Sequence, residues 1–196
     1  MIAIIDYNMG NLASVVNAFD KINADAKVIT NPEELRNFDK IILPGVGAFG
    51  DAMKHLNETG MKEAILEFAK SGKYMLGICL GMQLLFEKSQ EFGEANGLSL
   101  IEGEVDYFKT DLKVPHMGWN KMFNKENPIF NGLKDPYLYF VHSLHAVCDD
   151  KYVIGYTDYD YKFVSAVNKD NIYGFQPHPE KSHDKGLKIL KNFVEL

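Results

Sequence analysis

Across its first 78 residues the chain alternates short, β-branched apolar runs with stretches of 3.6-residue periodicity, and few folds accept that rhythm. Residues 2–5, 26–29, 40–43 and 74–78 read as strands. Between the first two, Leu12, Val15, Val16, Phe19 and Ile22 mark one helical face. Asn31-Pro32 opens a short helical turn, Pro44-Gly45 stops the third strand, and helical patterns follow at 51–57 and 60–70. A further helix is expected over 79–87. Strands alternating with helices imply an α/β fold of three layers, a mostly parallel central sheet with helices on both faces. Sites in such folds lie beyond the carboxyl ends of the strands. That places residues 6–11, 44–49 and Cys79 together.

The second half reads differently. Short aromatic or β-branched segments at 101–108, 114–119, 137–141, 152–156, 163–168 and 172–175 favour antiparallel strands joined by hairpins. A closing helix over 185–194 carries Leu187, Leu190 and Val194 on one face. With no linker or repeat, residues 1–196 are expected to form a single domain, and a 46% hydrophobic composition suffices for its core.

Charge narrows the function. The net charge is −6, and the basic residues are scattered lysines apart from Arg36, which argues against a nucleic-acid surface. No run approaches the roughly 18–20 apolar residues of a membrane span, and the N-terminus lacks the pattern of a signal peptide, so a cytoplasmic location is expected. In that reducing compartment Cys79 and Cys148 are expected to remain unpaired. Neither belongs to a CxxC, and His142 and His145 form an isolated HxxH, so neither a metal nor a cofactor is expected.

Gly77-Ile78-Cys79-Leu80-Gly81 is the cysteine form of a nucleophile elbow, a sharp strand-to-helix turn whose neighbours must be small. The following helix start favours thiolate, and the Leu80 amide points toward a developing oxyanion. A thiol nucleophile needs a base, and the base needs an orienting group. In Gln176-Pro177-His178-Pro179-Glu180, residues two apart face one side of an extended stretch, so His178 and Glu180 fit both needs.

Gly-Ile-Cys-Leu-Gly-Met-Gln at 77–83 and His-Pro-Glu at 178–180 resemble the class I, triad-type glutamine amidotransferases. The stretches 6–12, 44–49, 115–120 and 139–143 are similar, more narrowly, to the glutaminase subunits of imidazole glycerol phosphate synthase. The resemblance covers the chain from residue 1 to the final helix. It implies Cys79 as nucleophile, His178 as general acid and base, and Glu180 as its orienting carboxylate. It implies Val46 and Leu80 at the oxyanion hole, with a peptide flip at Gly45-Val46-Gly47. Gly47, Gln83, Ser143 and Leu144 would line the glutamine site. Leu144 departs from the family pattern, where an aromatic residue often follows the His-Ser pair. Asn8, Asn11, Trp119, Tyr139 and Lys181 would face a (β/α)8 cyclase subunit, the partner in a heterodimer that receives ammonia through a tunnel.

At this point other readings stay open. The ammonia could serve a sugar-modifying partner in surface glycan synthesis. The same sheet also suits a partner-independent γ-glutamyl hydrolase or a non-catalytic binding module. For single residues the alternatives are a core Trp119 and a solvent-exposed Gln83.

Overall fold

The computed structural model describes residues 1–196. Four parallel strands come first in the chain: β1 (Ile2–Ile5), β2 (Ala26–Ile29), β3 (Lys40–Leu43) and β4 (Tyr74–Ile78). Seven shorter or antiparallel strands follow: β5 (Lys88–Ser89), β6 (Ala95–Asn96), β7 (Glu104–Tyr107), β8 (His116–Asn124), β9 (Tyr137–His142), β10 (Leu144–Val147) and β11 (Val153–Tyr159). β12 (Tyr161–Lys169) and β13 (Ile172–Phe175) complete a sheet ordered β2-β1-β3-β4-β13-β12-β10-β7-β5-β6. β11 branches from β12, and β8 and β9 extend from β11. β13 lies at the centre, parallel to β4 and antiparallel to β12.

β1, β3 and β4 are apolar over most of their length because both faces are covered, whereas the edge strand β2 exposes Lys27 and Val28. Ala3 and Ile5 of β1 face one core with Phe49, Leu56, Ile65 and Phe68, which come from α2 (Phe49–Glu58) and α3 (Met61–Lys70) once α1 (Leu12–Lys21) has crossed the other side. Ile2 and Ile4 face the second core, where Val15 and Phe19 of α1 meet Ile189, Leu190 and Phe193. Each large apolar side chain buried there contributes about 1.5–3 kcal/mol.

The expected helix at 79–87 is corrected. Only a single turn, α4 (Leu80–Gln83), is helical, and the chain then turns into β5. Residues Leu84 to Phe86 are fully buried on every side, so their apolar run continues the pattern without continuing the helix. The closing helix α5 runs from His183 to Glu195. β8 starts at His116 and runs to Asn124, later than the expected 114–119, because the segment before it enters through Pro115. β10 was not foreseen.

Candidate active site

The turns after β1, β3 and β4 and the segment after β13 meet at one end of the sheet, as the α/β reading requires. The elbow is strained in the way its motif implies. Cys79 holds φ 55° and ψ −112°, a region L-residues enter only when their surroundings over-determine it. Its amide donates to Phe175 O at 2.7 Å, which ties the elbow to the central strand. Gly81 cannot be replaced, since a Cβ there would run into the carbonyl of Leu43.

His178 stands beside it. Its Nδ1 lies 2.7 Å from Glu180 Oε1, both side chains are 3% exposed, and His178 Nε2 is left without a hydrogen-bond partner. Burial disfavours the imidazolium, but the Cys79 sulfur and the Glu180 carboxylate outweigh it and push the His178 pKa up to about 10. The sulfur is held loosely, 3.8 Å from Gln176 Nε2 and 3.9 Å from Val141 O. The loop carrying this pair is pinned to β9: the His178 amide donates to Tyr139 O and the Tyr139 amide to Ser182 Oγ, both at 2.9 Å.

These groups open onto a pocket of about 380 Å³ lined by Val46, Gly47, Cys79, Leu80, Gln83, Glu91, Ser143, Leu144 and His178. A small polar metabolite fits such a volume. Every catalytic, oxyanion and substrate residue expected from the sequence except Glu180 is on this wall, and Glu180 lies behind His178. Gln83 is 6% exposed, not a surface residue, and donates to Leu144 O (3.3 Å) and Gln176 Oε1 (3.0 Å). Two residues without an expected role emerge. Gln176 is fully buried and bridges Gln83 to the sulfur. Glu91 accepts from the Phe49 amide at 2.6 Å, capping α2 from another segment. Glu91 has no periodic or motif signal around it, whereas Gln176 lies two residues before His178, separated from the His-Pro-Glu only by Pro177.

The turn at 44–49 is engaged from below. The Val46 amide donates to Met9 O at 3.3 Å, and the buried Tyr7 hydroxyl donates to Pro44 O at 2.8 Å. Gly47 has φ +107°, which a side chain would resist. Burial, then proximity to Cys79, push the Tyr7 phenol well above its ordinary pKa.

Of the expected partner-facing residues, Asn8 and Asn11 are exposed, while Tyr139 and Lys181 are half-buried. Asn11 lines a narrow cleft with Val46, His178 and Glu180. Trp119 is 47% exposed, which removes the core reading, and it stacks on His183 at 5.1 Å opposite Tyr139 in the β8–β9 ladder. Met117 (62%) and Tyr137 (59%) extend an apolar surface along the same ladder. A larger groove near Arg36 and Lys73 holds no histidine or cysteine. No helix is long and apolar enough to cross a membrane.

The family model for class-I glutamine amidotransferases matches residues 3–196. The chain is 65% identical over 202 residues to the imidazole glycerol phosphate synthase subunit HisH of Sulfurimonas denitrificans, covering 100% of this chain and 98% of that protein. It is 59% identical to the HisH subunit of Wolinella succinogenes, with both chains covered completely. Among solved structures, a glutamine amidotransferase superposes with a TM-score of 0.80 at 17% identity, covering 100% of this chain and 98% of the other. PurLQS from Thermotoga maritima superposes at 0.79 and 18% identity, covering 99% and 97%. These two share the fold. With its site geometry and its match along nearly the whole length, the chain belongs to the class-I glutamine amidotransferase family, in the branch of the HisH subunits.

Proposed function

We propose that this protein is the glutaminase subunit of imidazole glycerol phosphate synthase, a single amidotransferase domain in the cytoplasm that supplies ammonia to a cyclase subunit for histidine biosynthesis. The observation that carries the chemistry is the Glu180–His178 hydrogen bond of 2.7 Å, with His178 Nε2 left free beside the strained Cys79.

The Cys79 sulfur attacks the side-chain amide carbon of glutamine. His178 delivers a proton to the leaving nitrogen, ammonia departs, and a γ-glutamyl thioester remains. Water, deprotonated by His178, attacks the thioester; glutamate leaves and the thiol is restored. Glu180 holds the imidazole in place and stabilises its charged form. In the pocket, both Gln83 amide hydrogens are committed to protein, so its carbonyl and the Glu91 carboxylate suit the α-ammonium of glutamine. Leu80 opens a helix, so its amide has no intrahelical partner and is available to an oxyanion. The Val46 amide is the second candidate donor, but it is occupied by Met9 O. That bond favours low activity until the turn is rearranged, and the exposed Asn8 and Asn11 near the turn, with Trp119 exposed on the β8–β9 ladder, suit a partner of (β/α)8 form that triggers the change.

The test is glutamate release from glutamine by the purified chain, alone and with the cyclase subunit and its nucleotide substrate. The expected result is weak activity alone and strong stimulation by the pair, abolished in Cys79→Ala. Strong activity in the isolated chain would overturn the partner-gated reading, and turnover by Cys79→Ala would overturn the nucleophile.

A further inference from the structure

Two buried histidines outside the triad form a hydrogen-bonded chain that ends at the glutamine pocket. His116 opens β8 and lies directly across the ladder from His142, the last residue of β9. Their side chains share one face of the antiparallel pair, as cross-strand partners do. His116 Nδ1 is 2.9 Å from His142 Nε2, and His142 Nδ1 is 2.7 Å from Leu144 O. At the outer end, Asn120 Nδ2 is 3.2 Å from His116 Nε2.

The direction of every bond follows from its ends. Leu144 O only accepts, so His142 carries its proton on Nδ1 and accepts at Nε2. His116 must then donate from Nδ1 and accept at Nε2. Asn120 meets that demand: its Oδ1 accepts from the Lys121 amide at 2.7 Å, which turns its amide nitrogen toward His116 and Asp158 O. Both rings are neutral in this arrangement. Their surroundings agree, since Phe108, Phe140, Phe163 and Tyr159 enclose them at ring-centroid distances of 4.2–6.3 Å. The charged or titratable groups that act on His142 are His145 and His178, besides His116 itself, with no carboxylate among them.

The end of the chain is where it matters. Leu144 O accepts from His142 and also from Gln83 Nε2, whose amide continues to Gln176 and so to the Cys79 sulfur. We propose that His116 and His142 are positioning residues: as neutral Nδ1–H tautomers they relay the fixed orientation of Asn120 to the Leu144 carbonyl, and thereby set where Gln83 and the adjoining pocket wall hold glutamine. This rests on the glutaminase reading above. It also joins β8, which presents Trp119 to solvent, to the substrate pocket through hydrogen bonds instead of through packing alone.

Two measurements decide it. In ¹⁵N-histidine-labelled protein at neutral pH, the ring nitrogens of His116 and His142 are expected to read as neutral and protonated on Nδ1, and both sets shift when glutamine is added to the Cys79→Ala form. A charged ring or an Nε2–H tautomer at either position overturns the relay. In kinetics with the assembled complex, His142→Leu is expected to raise KM for glutamine about tenfold, the scale of one lost buried hydrogen bond, with kcat little changed. His142→Asn, whose amide reaches Leu144 O as Nδ1 does, recovers most of that loss. An unchanged KM, or an Asn variant no better than Leu, overturns the proposal. Should His142→Leu not fold, Asn120→Ala tests the outer link: a KM rise with a mixed His116 tautomer supports the relay, and wild-type values for both overturn it. A wild-type complex without glutaminase activity would count against the function, while the ring-nitrogen signals would still judge the relay.

Discussion

At Cys79 the backbone holds a conformation, φ 55°, that costs on the order of 1–3 kcal/mol, with its amide tied to the Phe175 carbonyl and the turn after it closed tightly at Gly81 against Leu43. The sulfur proposed as nucleophile is thereby presented to the pocket, and the proposed chemistry depends on neighbours that orient one another. Glu180→Gln keeps the shape of the His178 contact but cannot stabilise the imidazolium. It is expected to lower kcat by about 10²–10⁴ with KM near wild type, read by steady-state glutamate release; an unchanged kcat would remove Glu180 from the triad. Tyr7 is the second residue with a defined effect. Tyr7→Phe leaves Pro44 O without its only side-chain donor, so a stability loss of about 1–3 kcal/mol is expected in denaturant unfolding. It also slackens the 44–49 turn, and glutaminase activity without partner is expected to rise; equal basal rates would separate Tyr7 from the gate.

Among the elements, the turn between β3 and α2 concentrates the most proposed function, Val46 and Gly47 both lining the pocket. Gly47→Ala adds a Cβ at φ +107° and 2.9 Å from Met9 Cε. The flexible Met9 terminus can yield, so backbone strain decides the outcome. Partner stimulation is expected to fall by about tenfold while alkylation of Cys79 by a small electrophile keeps its rate; full stimulation in the variant would show that no rotation at Gly47 is needed. The same scale shows what the sequence made legible. The inner parallel strands and long helices are readable because burial on both faces leaves apolar runs in the former, and burial on one face leaves a 3.6 period in the latter. The elbow and His-Pro-Glu were readable because their chemistry is local. α4 was overread because Leu84, Leu85 and Phe86 are buried in a turn, where an apolar pattern says nothing about backbone shape. β10 was missed because Leu144-His145-Ala146-Val147 follows β9 after one residue, with no turn signal between them. Glu91 and the His116–His142 pair depend on register and loop closure, which single-residue patterns do not encode.

For the whole molecule, the buried histidines make stability depend on pH with opposite signs. Burial lowers the pKa of His116 to about 4 and of His142 to about 3, and it lowers that of His145 as well. An unfolded histidine takes up its proton near pH 6.5, so from there down to pH 3–4 the unfolded chain binds more protons and the fold weakens. The slope reaches about 1.4 kcal/mol per pH unit for each such ring. His178, raised to about 10, acts the other way: its contribution is complete below pH 6.5 and is lost as pH climbs toward 10. Thermal unfolding across pH should therefore peak near 6.5, and the double variant His116→Asn, His142→Asn should flatten the acid limb; an equally steep acid limb in that variant would assign it elsewhere. The central place of β13 has a consequence in time. During translation β4 and the cysteine after it emerge long before β13, which pairs with the edge of β4 that β3 leaves open, and the histidine that follows β13. A nascent chain thus carries an open sheet edge, a site for misassembly, together with the proposed nucleophile before its proposed base has been made. The final strand seals that edge and delivers His178 and Glu180 in the same movement, so a ribosome-bound intermediate is vulnerable to aggregation yet spends no glutamine.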